Sequence, residues 1–80
     1  MPALNKFKRL DVRPLLNRGE EPLAAIRKKV GSLKEDEGLI VIAPFLPSPL
    51  IALLGSEGFR SRLERGAAGE WIVYFWRETP

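Results

Sequence analysis

The chain has 80 residues and a net charge of +3, with neither cysteine nor histidine. Eighty residues make a single domain, which buries only roughly 60% of the surface its unfolded chain exposes. The missing residue types exclude a disulfide scaffold, a thiolate nucleophile, an imidazole base and the usual zinc ligands.

The mild positive charge suits solubility and falls well short of a dedicated nucleic-acid binder. Lys6, Lys8 and Arg9 have no apolar run behind them, so no signal peptide is expected. No apolar stretch reaches the roughly 20 residues of a membrane span. A cytoplasmic location is the resulting expectation.

In chain order, Phe7 to Val12 reads as a strand, because Leu10 and Val12 alternate with Arg9 and Asp11. Pro14 ends it, and a loop through Asn17 and Gly19 is expected. Glu20 to Leu33 reads as a helix. Its acids stand where the helix dipole favours them, and Pro22 suits the first turn. Leu23, Ile26, Val30 and Leu33 form one apolar stripe. Leu39 to Ala43 is a short apolar run read as a central strand, stopped by Pro44. Ser48 before Pro49 signals a second helix, with Ser48 as its cap. Gly58 suits a left-handed helix end. Phe59 to Arg65 and Glu70 to Arg77 read as a hairpin around Gly66 and Gly69.

The order is βαβαββ. It predicts an α/β (α+β) two-layer sandwich: a mixed four-stranded sheet with two helices on one face, ordered from Phe7 to Arg77. The expected core is Leu10, Val12, Leu23, Ile26, Val30, Leu39, Val41, Leu50, Leu53, Phe59 and Val73.

Several short motifs carry a family resemblance. Leu10-Asp11-Val12-Arg13 resembles the opening of TusA/SirA-like proteins, in which a Cys-Pro-x-Pro helix start follows. Glu21-Pro22 matches the end of that second motif. Gly19 falls where the cysteine would be, and the loop is longer. The chain more closely resembles a cysteine-poor bacterial relative, the domain of unknown function numbered twenty-two forty-nine. That resemblance rests on Gly19-Glu20-Glu21-Pro22, on the run Ala43 to Leu50, on Gly58-Phe59, and on Trp71-x-Val73-x-Phe75. Leu46 departs from it, since that group often has an acid there. The resemblance implies a TusA-like fold, with Trp71, Val73 and Phe75 facing inward. It implies no activity. Sulfur transfer is not expected, because Gly19 has no side chain to carry sulfur.

Two surfaces stand out as candidate sites. If the first two strands are parallel, both helix N-termini open on one edge, carrying Arg13, Asn17, Arg18 and Ser48. Free N–H groups there would suit a small anionic ligand. The second surface is the uncovered sheet face, where Ile40, Ile72, Tyr74 and Trp76 form an apolar interaction surface. Simple pairing around the hairpin turn gives the opposite facing, with Leu63 beside Ile72 and Phe59 beside Trp76. Adjacent Glu20 and Glu21 diverge on a helix and make no catalytic pair.

The expected function is therefore non-catalytic, with no cofactor and no metal. It is a small interaction or ligand-binding module, with an unknown protein partner or a weak homodimer. The alternative is an RNA-binding module using the sheet aromatics and Arg60, Arg62 and Arg65. The mixed charge favours protein association over nucleic acid.

Overall fold

The computed structural model describes residues 1–78. A short 3-10 turn at Leu4–Lys6 leads into strand β1 (Phe7–Asp11). Then follow α1 (Arg13–Asn17), α2 (Pro22–Gly31), β2 (Gly38–Ala43), α3 (Ser48–Ser56), β3 (Phe59–Arg65) and β4 (Trp71–Arg77). The sheet order is β1-β2-β4-β3. β1 and β2 are parallel, and the other two pairings are antiparallel. This is the mixed two-layer sheet that the sequence predicts.

The segment expected to be a loop through Asn17 is instead the helix α1. Pro14 presets the helical φ in its first turn. The helix then closes through two backbone bonds, Gly19 N–H to Leu16 O at 3.0 Å and Glu20 N–H to Leu15 O at 2.9 Å. This is a Schellman ending, and it needs a left-handed residue, supplied by Gly19 at φ 72°. α2 is shorter than expected. Glu21 caps it by accepting from Leu23 N–H at 3.2 Å, and Pro22 opens its first turn.

Strand alternation puts Leu10, Leu39, Val41, Ala43, Val73 and Phe75 on the helix side. They pack with Val12, with Ile26 and Val30 of α2, with Leu54 of α3, and with Phe59. Leu15, Leu16, Leu50 and Ile51 are half-buried against this cluster. Leu23 does not belong to the core: in the first turn of α2 it is 39% exposed. Leu53 is only half-buried. Leu54 and Phe75, absent from the expected core, are both fully buried.

The hairpin register is Leu63 with Val73 and Phe59 with Arg77. The alternative pairing of Leu63 with Ile72 is thereby corrected. The turn holds an extra residue: Gly69 N–H donates to Gly66 O, and Gly66 N–H donates to Glu70 O. Gly69 takes φ 84°, as in a type I turn followed by a bulge. Trp71, Val73 and Phe75 therefore face the helices, and Ile72, Tyr74 and Trp76 face the open side.

Candidate functional site

The carboxyl ends of β1 and β2 lie on one edge, with Asp11 opposite Ile42. The N-terminal ends of α2 and α3 meet there. Between them lies a cleft of about 230 Å³. Val12, Val41 and Ala43 form its floor. Leu16, Pro22, Ile26 and Leu50 are among the residues of its walls, and Leu23 and Phe45 stand at its rim. Glu21 is its only ionisable lining residue, and one of its oxygens already caps α2. Phe45 is 53% exposed and Leu46 beside it 38%. Both follow Pro44, which ends β2, and precede Pro47, which occupies the cap position of α3. Prolines on either side restrict this short loop, which bends at Pro44 and Phe45 beside the cleft.

The four residues proposed for an anion are engaged differently. Arg13 Nε donates to Asp11 Oδ1 at 2.9 Å and Arg13 Nη2 to Asp11 Oδ2 at 2.7 Å. The Arg13 backbone N–H also donates to Asp11 Oδ1, at 3.0 Å. Glu70 lies 3.9 Å from the same guanidinium. The Arg13 hydrogen bonds hold the Asp11 carboxyl below its ordinary pKa, against a smaller opposing effect of burial. Arg18 pairs with Glu20. Asn17 is exposed at the end of α1. Ser48 is the first residue of α3 rather than its cap: Pro47 stands at the cap, and Ser48 N–H donates to Leu46 O at 2.9 Å. The edge thus brings two arginines to the expected side, each matched by a carboxylate two residues away. What it offers at its centre is apolar surface.

The open sheet face has apolar central strands and polar edges. Ile40 pairs with Tyr74, Ile42 with Ile72, and Gly38 with Trp76. Arg60, Arg62 and Glu64 of β3 flank them. Phe7 packs edge-on against Tyr74, with ring centroids 5.5 Å apart. The Tyr74 hydroxyl donates to Glu64 Oε1 at 3.1 Å. Ile40, Ile72 and Tyr74 are half-buried, whereas Trp76 is only 9% exposed and Ile42 5%. The expectation that Trp76 stands exposed is therefore corrected. Its indole N–H donates to Glu78 Oε1 at 3.3 Å, and Met1 and Pro2 line a recess beside it. Among the described residues, the exposed large apolar side chains are Met1, Leu4, Leu23, Phe45, Leu46 and Leu63. Two of these stand at the rim of the cleft, and none lies in the centre of the open face.

The sequence places a crevice at this edge, between the two helix N-termini, but not its apolar lining, because Leu23 and Leu50 read as buried core. The one available signal was Phe45-Leu46 between two prolines, a place where large apolar residues have no strand or helix to bury them. Among the described residues, no group of three or more acidic, histidine or cysteine side chains is placed to hold a metal ion. No helix among them is long and apolar enough to cross a membrane.

No curated protein and no solved structure matches the chain. A family model described as Uncharacterized conserved protein (DUF2249) matches residues 9–77, from the first strand to the end of the last. The chain belongs to that family.

Proposed function

We propose that this chain is a non-catalytic, cytoplasmic bacterial interaction module that receives an apolar side chain of a partner protein in the cleft between α2 and α3. The observation that carries this reading is the cleft itself, apolar on floor and walls, with Leu23 and Phe45 exposed at its mouth. Small-molecule pockets usually span about 300–1,000 Å³. At about 230 Å³ the cleft is closer in size to a bulky side chain and its neighbours. Large exposed apolar groups beside an apolar recess are the surfaces that proteins use for association. The absence of cysteine and histidine from the sequence supports a role without covalent or acid–base chemistry. The TusA-like kinship is part of the same proposal, with Gly19 in place of that group's cysteine.

The test is a titration of the labelled protein with N-acetyl-tryptophanamide and, in parallel, with inorganic phosphate and single-stranded RNA. Methyl shifts at Leu23, Ile26, Leu50 and Leu53 with the indole probe are expected. Shifts with phosphate alone, around Arg18 and Ser48, would return the function to anion binding. Shifts confined to Tyr74 and Arg62 with RNA would make the sheet face the working surface.

A further inference from the structure

β3 is an open edge of the sheet. Its seven residues pair with β4 in an uninterrupted register and include no proline. Gly66 N–H donates to Glu70 O at 2.8 Å, so the backbone of Gly66 faces β4. Backbone groups alternate sides along a strand. Ser61, Leu63 and Arg65 therefore turn their N–H and C=O groups away from β4, toward the open edge. Leu63 is 44% exposed on the helix side of the sheet. Arg62 and Glu64, on either side of it, lie on the opposite face.

Sheet edges are commonly guarded by charge, proline or a bulge. Two of the charges on this edge, Arg62 and Glu64, instead complement each other about Leu63. If two copies pair antiparallel with Leu63 on the twofold axis, Arg62 of each copy stands opposite Glu64 of the other. The two exposed leucines meet at the axis. The outward N–H and C=O groups of Ser61, Leu63 and Arg65 are then the ones that bond across. A slip of one residue centres the pair on Arg62 or on Glu64 and sets like charges face to face, which destabilises a sheet.

We propose that two copies of this chain associate through β3, antiparallel and centred on Leu63, joining their sheets into one. A strand pair buries far less surface than a standard interface of about 1,600 Å². The association is accordingly weak and concentration-dependent. It uses no residue of the cleft, so its failure and the failure of the binding reading are separate results.

Sedimentation equilibrium up to millimolar protein tests the proposal, with amide hydrogen exchange of the unmodified chain at low and high concentration. Protection is expected to rise with concentration at Ser61, Leu63 and Arg65 and to stay constant at Arg62 and Glu64. Arg62→Glu and Glu64→Arg each set like charges opposite one another, and each should raise the dissociation constant about tenfold. The double exchange restores both pairs and should return it to within about threefold of the original. A monomer at millimolar concentration overturns the proposal. So does self-association that protects other amides, or that the double exchange fails to restore.

Discussion

The ring of Phe7 lies directly over Gly38, its partner across the parallel pair of β1 and β2. A Cβ at Gly38 would fall 2.6 Å from Phe7 Cδ2 and 2.7 Å from the Phe75 carbonyl oxygen. The missing side chain thus lets Phe7 fold across the bottom of the open face and reach Tyr74. Gly38→Ala must displace both the ring and a neighbouring strand. Overpacking of this kind costs about 1–3 kcal/mol. Urea unfolding of the variant should show a lower midpoint with an unchanged slope, and Phe7→Ala in the same background should recover part of the loss.

The Asp11–Arg13 pair predicts an acid dependence. Hydrogen bonding from Arg13 lowers the Asp11 pKa in the folded chain. A carboxyl whose folded pKa is depressed contributes stability above its unfolded pKa, about 3.9. That contribution is lost as pH falls through the folded value. Asp36 and Glu57 are lowered in the same direction by Lys6 and Arg27. The stability difference between the unmodified chain and Asp11→Asn should therefore be constant near neutral pH. It should shrink steadily below about pH 4. Urea midpoints measured across that range check the sign; a difference that grows on acidification would contradict the pairing.

The cleft separates residues that bind from residues that fold. Phe45 and Leu23 are exposed at its mouth, and Ile26 is only 3% exposed at its base. Phe45→Ser and Leu23→Ser should abolish the shifts caused by N-acetyl-tryptophanamide while changing stability by less than about 1 kcal/mol. Ile26→Ala opens a hole in the core and should cost about 2–5 kcal/mol. Thermal unfolding set beside the titrations distinguishes the two groups.

How much of this could be read from the sequence varied with the kind of signal. Strand and helix periodicity located the strands and the two longer helices, since Leu39 and Val41 or Ile26 and Val30 must share a buried face. The short helix after Val12 was hidden, because Pro14 reads as a strand terminator and as a helix opener alike. Its real signature was Gly19, whose left-handed backbone ends one helix rather than beginning another. The anion edge reads as basic when Arg18 is weighed without Glu20. The two are only two residues apart, and pairing at that distance depends on local backbone geometry that no spacing rule supplies. Trp76 was expected on the surface because strand alternation gives a side chain's face and not what covers it. Glu78, beyond the strand end, accepts from the Trp76 indole N–H, and Met1 and Pro2 line the recess beside it.

Tyr74 gives the open face its own reporter, because the chain has a single tyrosine. Burial raises its pKa above the ordinary value of 10.0, and the hydrogen bond to Glu64 adds to the shift, while Arg62 and Arg9 oppose it. The folded chain therefore keeps the phenol proton at pH values where the unfolded chain releases it. The stability this provides is complete below about pH 10, the unfolded pKa. It is lost as pH rises through the higher folded value. Near-ultraviolet absorbance of the tyrosinate should rise late in the native chain and at the ordinary pH in urea. Glu64→Gln should move the native titration part of the way back, leaving the contribution of burial. If the native and unfolded titrations coincide, Tyr74 is neither sheltered by its neighbours nor bonded to Glu64, and the open face is as exposed as strand alternation alone suggested.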